Sequence, residues 1–346
     1  MGCCPDCRFS YLRVVHRILA LLLVVVGVAP GTWWRVPPEK RIDESEIVVQ
    51  PLALPSPAAL APHLGPFELE KAWQLRSRHR WFGGYSALFV LDTGKLVALS
   101  DGGFALHMTL PDPALAAPRP EKLFPPMYKG KARRDIEAAT YDPETSTLWL
   151  ALENTNAIPR FTQRGGKFAI NGVAVPLELS RWSGNAGPES FLRLEDGRFI
   201  ALRESFTGHF EDRRHAALLF ATDPVEDREA QRFSVAGPAG FSPTDAAQMP
   251  DGRVLILFRK LVWPVPARFA GRIAIADPAK IKPGQTWAVK EVAKLSSSLP
   301  VDNFEGLAVE PRADGRITVW LVSDGNNSIF QRTLLWKLAV DPEDLP

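Results

Sequence analysis

The chain has 346 residues, 46% of them hydrophobic, including ten Trp and nineteen Phe alongside thirty-one Pro and twenty-five Gly. That is enough apolar material for a packed core, and the Pro and Gly content fits many short strands and turns better than long helices. The formal charge is only +2, which removes the electrostatic basis for a nucleic-acid partner.

Cys3, Cys4 and Cys7 open the chain, followed by Arg8, Arg13, His16 and Arg17 and then by an uncharged apolar run from Ile18 to Ala29. A basic lead before about a dozen apolar residues is the pattern of a secretory signal or a short uncleaved anchor. The run is shorter than the roughly 20 residues of a stable membrane-spanning helix, which favours cleavage. If it is retained, residues 12–30 are the one expected contact with a membrane. Residues 1–31 are therefore read as a targeting segment that sends the remainder out of the cytoplasm, to the periplasm or an equivalent compartment. Beyond residue 31 the chain carries 38 Lys and Arg against 38 Asp and Glu, and no Cys. The exported part is thus neutral and has neither a disulfide nor a Cys nucleophile. Cys4-Pro5-Asp6-Cys7 lacks the second pair that a zinc site needs.

Residues 32–66, ending in PLALPSPAALAPHLGP, read as a linker with one edge strand near residues 46–54. The domain proper, 67–346, opens with FELEKAWQLRS, whose alternation suits a strand. Five copies of one phrase follow: a polar residue, a strand, a turn, a second strand and a polar end. They begin YSALFV, IEAATY, PESFLR, TDAAQM and FEGLAV, and their opening polar residues are Ser86, Glu137, Glu189, Asp245 and Glu305, spaced by 51, 52, 56 and 60. A period of that size with strands inside each unit predicts an all-β radial array, a β-propeller. Five blades are counted, six if residues 42–66 contribute more. The ring is expected to close by pairing 67–77 with 332–340, which removes exposed edges. Trp149, Trp182, Trp263, Trp287, Trp320 and Trp336 are expected between blades.

In a hairpin the start of the first strand and the end of the second lie at the same end. Each opening residue therefore shares a rim with a polar partner. The pairs are Ser86 with Asp101, Glu137 with Glu153 and Asn154, Glu189 with Glu204, Asp245 with Arg259 and Lys260, and Glu305 with Asp324. If the first strands are innermost, their carboxylates converge on one channel mouth. Clustered carboxylates repel unless a cation joins them, and Ca²⁺ accepts irregular oxygen sets. The candidate ligands to Ca²⁺ or another divalent cation are Glu137, Asn154, Glu189, Asp245, Glu305 and Asp324. Arg134, Arg203 and Arg259 are candidates to orient an anionic group, and Glu204 is the candidate general base. The competing reading is structural: acids at strand starts that hydrogen-bond the backbone of the next blade. No zincin, P-loop or dinucleotide motif occurs, and Gly84-Tyr85-Ser86-Ala87-Leu88 lacks the closing Gly of a nucleophile elbow.

WFGGYSALFVLDTGKLVALSDGG, RRDIEAATYD with WLALENTNAIPRF, GPESFLRLEDGRFIALRES, and NFEGLAVEP with LVSDGNNSIFQRTLLWKL resemble, in that order, the bacterial phytase-like domain family labelled "esterase-like activity of phytase". The resemblance spans about residues 67–340. It implies an exported propeller acting on a phosphoester or another ester, with a small anionic ester or phosphoester as partner. It does not extend to the R-H-G-x-R-x-P motif of histidine acid phosphatases, since His215 in DRRHAA lacks the Gly and the later Arg-x-Pro. A looser likeness of architecture, to gluconolactonase-type propellers, adds lactones to the substrate classes. The alternative to an enzyme is an exported propeller that only binds a ligand or an envelope protein.

Overall fold

The structure is a computed structural model that describes residue 19 and residues 46–91, 95–109, 119–123, 135–182, 187–207, 214–264, 267–296, 299–325 and 331–346. Apart from residue 19, the targeting segment lies outside the described residues, as does Arg134.

Strand β1 (Val48–Pro51), helix α1 (Pro57–Leu64) and strand β2 (Glu68–Arg76) come first. Blade 1 holds β3 (Tyr85–Leu91), β4 (Lys95–Ser100), β5 (Phe104–Thr109) and β6 (Arg119–Lys122). Blade 2 holds β7 (Ile136–Asp142), β8 (Thr147–Leu152), β9 (Ile158–Arg164) and β10 (Lys167–Ala174). After the short helix α2 (Leu177–Ser180), blade 3 is built from β11 (Pro188–Arg193), β12 (Phe199–Thr207), β13 (Arg214–Phe220) and β14 (Ala230–Ala236). Blade 4 comprises β15 (Ser242–Gln248), β16 (Val254–Pro264), β17 (Ala267–Ala276) and, after β18 (Thr286–Ala288), β19 (Lys290–Leu295). Strand β18 leaves its own blade and pairs in parallel with β14. Blade 5 holds β20 (Phe304–Pro311), β21 (Ile317–Ser323) and β22 (Thr333–Val340). Five four- or five-stranded sheets around an axis make a five-bladed β-propeller.

The inner strands β3, β7, β11, β15 and β20 contact one another in sequence around that axis, and β20 returns to β3. The second strand of each blade is packed on both faces, so it reads as a continuous apolar run without alternation. TLWLAL of β8 and ITVWLVS of β21 are buried at every position. Closure follows the expected pairing, with Leu75 of β2 opposite Thr333 of β22 and β1 added outside as an edge strand. Part of the stretch read as linker is built into this blade: Leu60 and Leu64 of α1 are buried against the core of blades 4 and 5. A Pro-rich segment keeps this helix because Pro57 falls in its first turn, where no N–H is needed. Trp149, Trp182, Trp287, Trp320 and Trp336 are buried as expected. Trp263 is not; it is 58% exposed.

Every inner strand carries a register shift at its start. One residue is skipped between Tyr85 and Ala87, Ile136 and Ala138, Pro188 and Ser190, Pro243 and Asp245, and Phe304 and Gly306. The skipped residues are Ser86, Glu137, Glu189, Thr244 and Glu305. A bulge re-aims its side chain away from the regular alternation. The equivalent of the other four positions is thus Thr244, one residue before the Asp245 expected from the repeat. Hydrogen bonding supports the equivalence. Ser86 Oγ donates to Ile136 O (2.6 Å) and Thr244 Oγ1 to Phe304 O (3.4 Å), each reaching the residue before the next blade's bulge.

Asp245, one position on, points back into the ring. Its Oδ1 accepts from Ala246 N (2.8 Å) and its Oδ2 from Leu307 N of blade 5 (2.7 Å). Burial raises its pKa, against the opposing pull of the Leu307, Ala246 and Leu88 backbone donors. This carboxyl is a structural tie between blades, and the reading of Asp245 as a metal ligand is corrected. Asp245→Ala leaves buried donors unpaired at about 1–3 kcal/mol each. We expect a stability loss of at least ~2 kcal/mol in urea unfolding, with the calcium response described below retained in the folded fraction.

Candidate acidic site at the channel mouth

The three bulged Glu face a cavity of about 330 Å³ lined by Gly84, Ser86, Asp101, Asp135, Glu137, Glu153, Glu189, Glu204, Arg259, Glu305 and Asp324. Among the described residues eight carboxyl groups therefore meet one guanidinium. The backbone fixes those that follow the second strands. Asp101 N donates to Gly84 O (2.7 Å), Glu153 N to Asp135 O (3.0 Å) and Asp324 N to Asn303 O (2.8 Å). Two glycines allow the close packing. Gly84 has φ +71°, and a Cβ there would stand 2.6 Å from Asp101 Oδ1; a Cβ on Gly187 would stand 2.7 Å from Glu153 Cγ. Either clash would displace a carboxylate from the mouth.

The cavity divides into two halves. On one side Arg259 bridges Glu204 (3.0 Å) and Glu305 (3.1 Å), and also donates to Asn303 Oδ1 (3.1 Å). Asn303 Nδ2 donates to Glu305 Oε1 at 2.6 Å. Burial opposes the guanidinium charge, but Glu305, Glu204, Glu189 and Asp324 outweigh it and raise the Arg259 pKa. On the other side Asp135, Glu137 and Glu153 bring carboxylate oxygens within 4.8 Å of one another. Burial, then Glu189, Glu305, Glu153 and Asp135, push the Glu137 pKa well above the ordinary range. Glu189 is raised in the same way, by burial first and Glu204 next, with Arg259 opposing. Glu305 is raised by burial, against the pull of Arg259 and Asn303.

Of the expected ligands, Glu137, Glu189, Glu305 and Asp324 do meet at this mouth. Glu305 is engaged by Arg259 and Asn303, however, and Asn154 is exposed, with its amide on the Asp135 carboxylate. Arg203 does not line the cavity; its guanidinium lies 6.0 Å from the centre of the Trp182 ring. Arg259 does line it but is bound to carboxylates, and Glu204, expected as a base, holds that guanidinium. Sequence reasoning did not place Asp135 and Glu153 in the ligand set. Both follow from the same rule of shared ends, Asp135 two residues before a bulge and Glu153 just past β8. Ser86 is no nucleophile, since its hydroxyl is buried in the tie to Ile136.

A propeller whose inner strands aim a ring of carboxyls into one mouth is the class that fold and site define. Residues 80–327 match the phytase-like family, described as esterase-like activity of phytase, and the chain belongs to that family. No curated protein matches the sequence. Among solved structures, an endo-arabinase from Bacteroides thetaiotaomicron is 16% identical at TM-score 0.47, covering 74% of this chain and 94% of that one. A PQQ-bound aldose sugar dehydrogenase from Streptomyces coelicolor is 11% identical at 0.42, covering 86% and 99%. Kuenenia stuttgartiensis hydrazine synthase is 12% identical at 0.37; the match covers 68% of this chain and 64% of that one. With TM-scores below 0.5 these likenesses carry nothing about chemistry.

The raised carboxyls make a signed pH prediction. A carboxyl whose pKa is higher folded than unfolded favours the fold fully below its unfolded value, and this is lost as the pH rises through the folded value. Glu189→Gln mimics the protonated group. In chelator its thermal midpoint should match the parent near pH 4.5, the ordinary Glu value, and exceed it increasingly toward neutral pH. A midpoint difference that stays flat with pH would show that Glu189 ionises without cost.

Proposed function

We propose that this protein is an exported, divalent-cation-dependent hydrolase of an ester, phosphoester or lactone. The observation that carries the reading is the Asp135–Glu137–Glu153 triad, inside a mouth where the described residues place eight carboxyls and one guanidinium. The donor set fits a hard cation. Two oxygens bound to one Ca²⁺ at the usual 2.3–2.6 Å can be at most about 5 Å apart, and the triad's oxygens already fall within 4.8 Å. Asp135, Glu137 and Glu153 would hold the ion. When bound, a divalent cation supplies Lewis acidity toward an ester oxygen and lowers the pKa of a bound water.

The chain's own groups supply the rest. Glu189 retains a proton to higher pH than an ordinary Glu because burial and Glu204 oppose its ionisation. That suits it to deliver a proton to a leaving oxygen, with a contribution on the order of 10²–10⁴ in rate. Arg259, held by Glu204 and Glu305, offsets part of the carboxylate charge on its side of the mouth. Asn303 donates to Glu305 and accepts from Arg259, tying the two together on the side away from the triad.

Calcium added to chelator-treated protein should raise the thermal midpoint by a few degrees, as a ligand of the native state does. The Glu137→Gln/Glu153→Gln double variant should lose that shift. Turnover on a panel of esters, phosphoesters and lactones should require the cation. Glu189→Gln should keep the calcium shift and lose about 10²-fold or more in rate. No calcium shift and no calcium uptake would make the carboxyl ring structural and put the ligand-binding propeller first.

A further inference from the structure

Blade 4 carries a strand extension on the side of the acidic mouth. Strand β16 pairs with β15 only as far as Arg259, opposite Ser242, and β17 pairs with β19 only from Gly271 onward. Beyond those points the strand pairing among the described residues is between residues 260–264 of β16 and 267–270 of β17. At roughly 3.3 Å per residue, five residues carry this two-stranded arm about 16 Å past the sheet. Arg259 at its root lines the acidic cavity, so the arm projects from that rim.

Its composition is wrong for water. Leu261, Val262 and Trp263 are 51%, 57% and 58% exposed and consecutive, and Phe269 lies opposite Leu261. Contiguous exposed apolar side chains mark a contact with a protein or a membrane. Exposed Lys260 and Arg268 flank the apolar residues. Trp beside aliphatic residues, bracketed by cations, is the side-chain mixture that settles at a lipid headgroup boundary.

In the form of the chain that retains its N-terminal run, that run favours the bilayer as the occupant. Val48 pairs with Arg76, and Ser77 Oγ donates to Glu46 O (2.9 Å). The chain then passes through residues 77–84 to Gly84 at the mouth. The segment that precedes residue 46 therefore joins the fold on the mouth side, in blade 5, next to the blade that carries the arm. That segment contains the uncharged run Ile18–Ala29. Val48 at the junction is itself 58% exposed.

We infer that the rim carrying the acidic mouth faces a lipid bilayer, with the arm's Leu261, Val262 and Trp263 seated in the headgroup boundary beside the N-terminal segment. The acidic mouth then opens toward the membrane surface. Among the described residues no helix is long and apolar enough to cross a membrane; the contact proposed is with its surface. The inference is independent of the cation, since neither the arm nor the junction contributes to the triad.

The test uses the full chain, with Cys3, Cys4 and Cys7 changed to Ser and one environment-sensitive fluorophore attached through Val262→Cys or, on the opposite mouth, Glu144→Cys. Both sites are exposed, so neither change disturbs the core. The chain is added to vesicles of phosphatidylethanolamine and phosphatidylglycerol, with and without nitroxide-labelled lipid. The expected result is a blue-shifted emission and several-fold stronger lipid quenching at position 262, with position 144 unchanged. A vesicle-bound chain whose 262 probe stays in water, or whose 144 probe is the one quenched, overturns the orientation. A chain that does not bind the vesicles at all overturns the proposal outright.

Discussion

The skipped residue at the start of each inner strand is the constraint on which the site depends. A regular strand sends alternate side chains into the flanking inter-blade layers, where a carboxylate would be desolvated without a partner. The bulge takes one residue per blade out of that alternation and turns it toward the axis. Five bulges supply five inward positions, two filled with hydroxyls that tie neighbouring blades and three with Glu. The hydroxyls make the site's geometry and the carboxyls make its charge. Asp245 illustrates the rule from the other side: one residue off the bulge, an acid becomes a rivet between inner strands.

Most of the architecture was legible from the period and from the Asp-Gly turns, because both are local and repeated. The register of the fourth blade was missed because acidity was used to align the copies. Distance to the turn is the better ruler: Ser86, Glu189 and Thr244 each lie eight residues before a turn glycine, Gly94, Gly197 and Gly252. The triad was half legible. Glu137 belongs to the repeat, but Asp135 stands outside the strand and Glu153 looks interchangeable with Asn154 until the backbone bond to Asp135 separates them. Helix α1 was hidden by its prolines, and the arm by a pattern that looked like ordinary strand. Nothing in the sequence marks where a strand loses its neighbours.

The mouth also concentrates electrostatic tension. Burial raises the pKa of Glu137, Glu189 and Glu305, and repulsion among the clustered carboxyls adds to it. Among the described residues one guanidinium faces them, and it is spent on Glu204 and Glu305. The inner strands are cross-tied by Ser86, Thr244 and Asp245. Stability held in the walls and strain held at the mouth is the usual division of labour in a site that binds charge.

Closure of the last blade has a consequence for how the molecule is made. Leu75 finds its partner in Thr333, 258 residues further along. On the ribosome, β2 appears before all five blades, yet it stays without its mate until β22 has been synthesised. Blades 1 to 4 can form hairpin by hairpin as they emerge, whereas the fifth waits for the final segment and must search over the longest loop in the chain. A truncation of even the last dozen residues would therefore remove more than a tail: it would leave the earliest strand with an open edge and the circle with a gap.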